Sequence, residues 1–169
     1  MSRPSVGNPP ALRIPKLEPT VAATPTMRLS TETLTVKTHE RLELINITEQ
    51  ITVRVRQSGI RNGIALINSL HTTLALFINE FQQALLDDIR TFLEQVIARG
   101  NYYRHNDPKY SDCDRQNADS HLRALLLGHN LCLQVANGEL VMGPFQSVIL
   151  AELDGPRDRA LQLQILGSA

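Results

Sequence analysis

The sequence predicts a single α+β domain built on antiparallel β-sheet with two or three helices. Its length of 169 residues is typical of one domain. Several segments alternate apolar and polar residues, which is typical of half-buried strands, whereas residues 81–99 repeat apolar residues three and four apart, as helices do. Short turn sequences such as Asn137-Gly138 separate successive strand segments, and such turns join antiparallel neighbours.

The first 26 residues differ in composition from the rest. They carry six of the nine prolines without any helical or strand period, which predicts a disordered tail before a domain at 27–169. This tail lacks the continuous apolar stretch of a secretory signal, and no segment approaches the 18 apolar residues of a membrane span. With only Cys113 and Cys132 as cysteines, the simplest expectation is a cytoplasmic protein without a membrane partner.

Charge and aromatic content argue against a nucleic-acid partner. Lys+Arg and Asp+Glu both number 17, and tryptophan is absent. The chain as a whole therefore offers neither the basic surface nor the stacking residues that nucleic-acid binding needs.

The domain is expected to open with two strands and a short helix. Residues 27–38 and 40–47 alternate, which predicts strands. Residues 48–57 suit a helix capped by Thr48, with Ile51 and Val55 at helical spacing. The same residues also alternate as in a strand, so both interpretations stay open.

The stretch 63–80 is the most apolar part of the chain and is expected to be extended. As one strand it would place on a single face Leu66, Leu70, Leu74, Leu76 and Ile78. A turn near residues 70–73 would break that shared face. The middle of the stretch carries His71, Thr72 and Thr73. An unpaired buried polar group costs about 1–3 kcal/mol, so partners for His71 are expected elsewhere.

Two helices are expected next. An apolar stripe in 81–99 comprises Leu85, Ile89, Phe92, Leu93 and Val96, with Asp88 on its flank. Residues 117–127, capped by Asn117 and ended by Gly128, are predicted to bury Ala118, Leu122 and Leu125 beside His121. Further strands are predicted at 130–136, 139–142, 145–153 and 157–166, with a tight turn at Asp154-Gly155-Pro156.

The polar connection 100–116 concentrates reactive side chains. It is long for a plain loop, and long ordered loops are often functional. It contains His105 and the run Asp112-Cys113-Asp114, which suits either a metal loop or, more simply, a solvated turn. Cys113 as a nucleophile would require a histidine base and a setting that stabilises the thiolate.

Three histidines carry the functional argument: His71 in an apolar run, His105 in the polar loop and His121 on an inward helix face. Three imidazoles with a carboxylate suit a divalent ion such as zinc, and neutral imidazoles also serve as acid–base groups. Alternatively, each is a hydrogen-bonded core or loop histidine. Arg157 and Arg159 follow the turn and lie two residues apart, which places them on one face of the predicted strand. They suit either a clamp for a phosphate group or exposed strand charges.

Four ordered motifs resemble the YjbQ family (UPF0047), also called the secondary thiamine-phosphate synthase family. They are Gly63 with H-T-T at 71–73 and N-E at 79–80, Y-R-H-N-D at 103–107, N-A-D-S-H-L at 117–122 and N-G-E-L-V-M-G-P-F-Q-S-V-I-L-A-E-L-D-G-P-R at 137–157. The resemblance covers about residues 27–167. One departure is Phe145, where relatives usually have tryptophan.

The resemblance implies an antiparallel α+β fold, a homotrimer and weak thiamine-phosphate synthase activity, which joins a pyrimidine diphosphate to a thiazole phosphate. The family's histidines map to His71, His105 and His121, which would bind zinc or magnesium or transfer protons, with Glu152 or Asp88 orienting them. Asn79, Glu80 and Gln146 also match family positions.

Phosphate would be held by Thr72, Thr73, Arg157 and Arg159. The leading hypothesis is therefore a transferase or related phosphate-ester enzyme. Two alternatives are a non-catalytic module that binds a phosphorylated metabolite or anion, and a purely structural role for the histidines.

Overall fold

Eight strands and three helices form the described part of the chain, which is residues 26–169 in this computed structural model. The strands are β1 Met27–Lys37, β2 Glu43–Asn46, β3 Asn62–Ser69, β4 Leu74–Asn79, β5 Asn130–Ala136, β6 Glu139–Leu140, β7 Ser147–Glu152 and β8 Asp158–Ser168. The helices are α1 Thr48–Ser58, α2 Gln83–Val96 and α3 Ala118–Leu127, and a 3₁₀ turn spans Arg104–Asn106. The predicted Pro-rich tail lies outside the described residues except for Thr26.

The strands form two antiparallel sheets, as the sequence predicts. The larger sheet has the order β1-β8-β3-β5-β6, and the smaller has the order β2-β7-β4. The α+β antiparallel class is therefore confirmed. In the described residues, no helix is long and apolar enough to cross a membrane.

The smaller sheet lies between two hydrophobic cores. One face of it, with Leu76 and Leu150, joins the core that contains α1 and the larger sheet. Its other face, with Ala75 and Ala151, packs with α2 and α3. Because β7 is covered on both sides, its sequence is a continuous apolar run, whereas β8 alternates buried and partly buried residues.

Residues 48–58 form a helix rather than a strand. Ile51 and Val55 are fully buried, because their spacing of four residues places them on the same face of the helix. The helix ends at Gly59, whose φ of 68° is a left-handed conformation that glycine adopts without a side-chain clash.

A turn at residues 70–73 breaks the shared face expected for the stretch 63–80. β3 pairs with β8 in the larger sheet, and β4 pairs with β7 in the smaller sheet. In β3 the core-facing residues are therefore Ala65, Ile67 and Ser69 rather than Leu66, and Leu70 is exposed. The turn carries His71 and Thr72 out of the sheets to their edge.

The expected buried faces of the last two helices are partly wrong. Phe92 on α2 is 52% exposed, and Leu125 on α3 is 73% exposed. The residues that α3 buries include Asp119, Ser120 and Arg123. These polar residues are buried because each has a partner; for example, the Ser120 hydroxyl donates a hydrogen bond to the Leu153 carbonyl.

Candidate anion-binding site

A cavity of about 370 Å³ lies where the β3–β4 turn, the 100–117 connection, the start of α3 and the β7–β8 turn meet. Eight of the residues singled out from the sequence line it: His71, Thr72, Thr73, His105, Cys113, His121, Arg157 and Arg159. Three further polar residues contribute to the wall: Arg115, Asn117 and Asp154. The fold thus brings together residues that are up to 88 positions apart in the chain, counting from His71 to Arg159.

His71 has a defined hydrogen-bonding state. Its Nε2 atom accepts a hydrogen bond from the backbone N–H of Ala160 at 2.9 Å. Nε2 therefore carries no proton, and the proton of the neutral ring resides on Nδ1. Burial lowers the pKa of His71, and the positive charge of Arg159 lowers it further, so the neutral ring is favoured.

His105 and His121 form a pair in the cavity wall. Their ring centroids are 5.1 Å apart and the rings meet edge to face at 84°. The 3₁₀ turn that carries His105 is tied to α3, because the Asn106 side chain accepts a hydrogen bond from the Ala118 N–H at 3.0 Å. Burial lowers the pKa of His121, and the neighbouring His105 lowers it further.

Arg159 lines the cavity, and its largely buried side chain pairs with Glu152, which does not line it. Nε of Arg159 donates to Glu152 at 2.6 Å, Nη2 donates to the other carboxylate oxygen, and Nη2 also reaches the Thr73 hydroxyl at 3.1 Å. Glu152 also accepts hydrogen bonds from the Thr38 hydroxyl and the Asp154 N–H. Burial alone would raise the pKa of Glu152, but the hydrogen bond from Arg159 and these donors outweigh it and lower that pKa.

Asp154 is the centre of a second charged cluster. One of its carboxylate oxygens accepts from Arg41 at 3.1 Å. The other accepts from Asn117 at 2.9 Å, Arg157 at 3.1 Å and Arg115 at 3.4 Å. Because Asp154 is almost completely buried, it fixes these donors at the cavity wall.

The charges that line the cavity favour an anion. Three arginines line the cavity, namely Arg115, Arg157 and Arg159. The lining contains a single carboxylate, that of Asp154. Glu152 is one layer behind Arg159. A phosphate group placed here would meet guanidinium groups, hydroxyls of Thr72 and Thr73, and the Nδ1–H of His71.

Known proteins resemble this chain along nearly the whole of its described part. The family model for UPF0047 protein YjbQ-like matches residues 32–168. A UPF0047 protein of Methanothermobacter thermautotrophicus is 43% identical over 83% of this chain and 94% of its own length. The UPF0047 protein YugU of Bacillus subtilis is 31% identical over 80% of this chain and 98% of its own length.

This chain belongs to the YjbQ family. The crystal structure of a YbjQ-like protein of unknown function from Sulfolobus solfataricus is also similar, with a TM-score of 0.78, 36% identity and coverage of 84% of this chain and 99% of that one. A YjbQ/UPF0047 protein of Clostridium acetobutylicum superposes with a TM-score of 0.72 at 29% identity, covering 79% of this chain and 98% of that one.

The arrangement of this YjbQ-family chain does not fit a three-histidine metal site. His71 uses Nε2 to accept the Ala160 N–H and carries its proton on Nδ1, so neither nitrogen is free to coordinate a metal. Among the described residues, no group of three histidine, cysteine, aspartate or glutamate side chains is arranged to hold an ion. His105 and His121 alone supply fewer protein ligands than a catalytic zinc site.

Other predicted residues lie away from the cavity. Asp88 is exposed on α2, and Asn79 and Glu80 are exposed at the end of β4. Gln146 accepts a hydrogen bond from the Gly143 N–H at 2.7 Å and thus shapes the β6–β7 connection. The hydrogen bonds of Glu152 run to Thr38, Arg159 and Asp154 rather than to a histidine.

The patterns that predict the site do not identify Asp154, Arg115 or Asn117 as site residues. The sequence predicts a turn position for Asp154, before Gly155-Pro156, and a helix-capping position for Asn117. Asn117 does occupy the cap position, but its side chain binds Asp154 instead of the helix N-terminus. The charged D-G-P-R segment at 154–157 is a signal that could have identified Asp154. An aspartate that is buried beside an arginine requires further hydrogen-bond donors, which other parts of the chain must supply.

Proposed function

We propose that this YjbQ-family protein binds phosphate esters in the cavity and acts as a weak transferase of the thiamine-phosphate synthase type, or on a related phosphate ester. The observation that supports this function is the convergence of Arg115, Arg157 and Arg159 with the neutral His71 around one cavity that holds a single carboxylate. Positioned cationic donors stabilise the negative charge that develops on a departing diphosphate.

The proposed roles follow from the hydrogen bonds. Arg157 and Arg159 hold phosphate oxygens, together with the hydroxyls of Thr72 and Thr73. His71 donates its Nδ1–H to a phosphate oxygen. Glu152 acts as a positioning residue for Arg159, and the neutral ring of His121 offers one donor and one acceptor.

In the proposed transfer, the bond between the pyrimidine methylene carbon and the diphosphate oxygen breaks, and its electron pair leaves with the diphosphate. The ring nitrogen of the thiazole phosphate uses its lone pair to form the new carbon–nitrogen bond. The thiazolium product then carries the positive charge, so the step needs no external oxidant or base.

The test measures thiamine phosphate formation and phosphate binding in one set of variants. Arg157→Met should lower both by about tenfold or more, because a charge-assisted contact contributes about 1.5–3 kcal/mol. Arg56→Met is the matched control, since Arg56 pairs with Glu139 on the exposed surface and does not line the cavity. Absence of phosphate binding by the unmodified protein, or an unchanged Arg157→Met variant, would disprove the proposal.

A second candidate function is reversible binding of a phosphorylated metabolite without turnover. The hydrogen bond from Arg157 to Asp154 favours this second function. It holds the guanidinium in place before the ligand arrives, so the ligand phosphate only has to accept a hydrogen bond from the same guanidinium. Thermal-shift measurements with thiamine precursors, nucleotides and phosphate discriminate between the two functions. Stabilisation without product formation would assign the protein to the binding class.

We also propose a homotrimer in the cytoplasm. The apolar side chains left exposed on α2 and α3 support assembly: Phe92, Val96, Leu125 and Leu126. Light scattering should give three times the chain mass of 18.8 kDa. Cell fractionation tests the compartment.

Metal analysis of the purified protein tests the predicted zinc or magnesium. We expect far less than one ion per chain, since His71 offers no free nitrogen.

A further inference from the structure

The outer face of the larger sheet carries a row of exposed apolar side chains. Leu29 in β1 is opposite Leu166 in β8, and Leu166 is opposite Ile64 in β3, so the three are direct cross-strand neighbours. Their exposed fractions are 62%, 39% and 43% in that order. Neighbouring strands lie about 4.8 Å apart, so these three residues form an outer apolar row about 10 Å wide.

The surroundings of the outer apolar row are uncharged. Gln134 in β5 is opposite Ile64 and extends the row. The next outward-facing row along the strands consists of Thr31, Gln164, Leu66 and Cys132. The solvent-facing side of an antiparallel sheet is normally polar, and a contiguous exposed apolar patch is typical of a surface that another segment or protein covers.

The chain enters the larger sheet beside this row. Met27 is the first residue of the edge strand β1 and lies on the same face as Leu29, two residues away. The structure describes the chain from Thr26 onward. Residues 1–25 therefore connect to the sheet about 7 Å from the outer apolar row. They also precede the part that matches the family model, which begins at residue 32.

The residues before Thr26 supply apolar side chains within reach of the row. In the segment 12–21, L-R-I-P-K-L-E-P-T-V, these side chains are Leu12, Ile14, Leu17 and Val21. The chain between Leu17 and Thr26 can span up to about 30 Å, which exceeds the distance to the row and its width together. Pro15 and Pro19 restrict the backbone before any contact forms, which reduces the entropy lost when the segment becomes ordered.

We propose that residues 12–21 bind across the outer apolar row of their own chain, with the Leu17 side chain packed on Leu29 and Ile64. A tethered segment meets this face at an effective concentration of about millimolar order, which favours it over a free partner. Leu166 is about 20 Å along β8 from Ala160, which lies beside the arginine-lined cavity. The inference is therefore independent of the proposed function.

The test uses fluorescence of the full chain. The sequence contains no tryptophan, so Leu17→Trp introduces a single reporter. Its emission should be shifted to the blue, and acrylamide should quench it more weakly than in urea, because the indole is buried on the row. Ile64→Lys and Leu29→Lys, each combined separately with Leu17→Trp, should remove most of the shift, since each brings a charge into an apolar contact. Thr33→Lys is the matched control: Thr33 is exposed on the same face of β1 but lies outside the row, so the shift should remain.

The position of the reporter has its own control. Val6→Trp places the indole outside the segment 12–21 and should give the emission of an exposed tryptophan. An exposed-type emission from Leu17→Trp would overturn the inference. A blue shift that survives both Ile64→Lys and Leu29→Lys, or one that Thr33→Lys removes equally, would also overturn it.

Two further measurements separate this inference from assembly and from phosphate binding. By light scattering, Ile64→Lys and Leu29→Lys should keep the mass of the unmodified protein. A lower mass would assign the outer apolar row to contact between copies and overturn the inference. By calorimetry, Ile64→Lys should bind inorganic phosphate as the unmodified protein does. Absence of phosphate binding by the unmodified protein would overturn the proposed function alone, because the fluorescence result does not depend on the cavity.

Discussion

The imidazole of His71 accepts a hydrogen bond from the backbone N–H of Ala160 in β8, at 2.9 Å. This contact joins the β3–β4 turn to the first residues of β8, the strand that lies between β1 and β3 in the larger sheet. It also determines the tautomer, because an accepting Nε2 leaves the proton on Nδ1. His71 is thus fixed as a donor, which separates its role from that of a metal ligand.

Two substitutions of His71 should separate its structural and binding roles. In His71→Gln the side-chain carbonyl can replace Nε2 as the acceptor for Ala160, so stability should stay near that of the unmodified protein while phosphate affinity falls. In His71→Asn the amide nitrogen overlaps Nδ1, so affinity should be largely retained. The Ala160 N–H is then unpaired, which should cost about 1–3 kcal/mol of unfolding free energy.

Denaturant unfolding and calorimetry measure the two quantities. Nitrogen NMR of the unmodified protein reports the tautomer directly, and a proton on Nε2 of His71 would contradict the assignment. Equal losses of stability and affinity in both variants would show that the two nitrogens do not have separate roles.

Asp154 gives a test in which two physical effects have opposite signs. By Coulomb's law alone, Asp154→Asn removes a negative charge from the cavity and should strengthen phosphate binding. We expect about tenfold weaker binding instead, because Arg115 and Arg157 lose the buried acceptor that fixes them. Asp114→Asn is the control: Asp114 is exposed beside Arg115, so only the Coulomb effect remains and binding should strengthen slightly. Tighter binding by Asp154→Asn would refute the positioning role.

The sequence predicts most of the fold because periodicity reflects burial on one side. β8 alternates along its length and is found as expected. The buried face of α3 is predicted only in part, since Ala118 is buried as expected whereas Leu122 and Leu125 are exposed, and the reason is physical. Periodicity assumes that leucine is buried and aspartate exposed, whereas Asp119 and Arg123 are buried by ion pairs with Arg41 and Glu94, which are 78 and 29 residues away in the chain.

The candidate site was predictable to a similar extent. His71 and His121 stand out because an imidazole in an apolar run or on an inward face needs a partner, and His105 stands out in a polar connection that is long for a plain loop. Arg41 and Arg115 carry no such local signal. Their place in the site depends on Asp154, which is 113 residues from Arg41 in the chain and meets it only in the folded protein.

The buried pair Arg159–Glu152 should dominate the stability of the site. Glu152→Gln should lower the unfolding free energy by about 3–5 kcal/mol, because it leaves the fully buried Arg159 guanidinium without a countercharge. Glu139→Gln removes an equivalent charge from the exposed pair with Arg56 and should be close to neutral. Denaturant unfolding of both variants measures this difference, and similar small effects in the two would contradict it.

The lowered pKa values of His71 and His121 predict a pH-dependent stability. In the unfolded chain each histidine titrates near its ordinary pKa of 6.5, whereas the folded protein favours the neutral ring. Below pH 6.5 the unfolded state therefore binds more protons than the folded state. The free energy of unfolding should be fully developed above this pH and should decrease as the pH falls through the lowered values.

Urea unfolding measured between about pH 5 and 8 checks this dependence, in a range above the ordinary pKa of carboxylates. The double variant His71→Gln/His121→Gln is the control, because it removes both groups and should flatten the slope. Loss of the slope in this variant but not in one with His39→Gln, a histidine on the exposed β1–β2 connection, would assign the dependence to the cavity. A stability that rises as the pH falls below 6.5 would refute the assignment, since it would require folded-state histidines that bind protons more tightly than the unfolded chain.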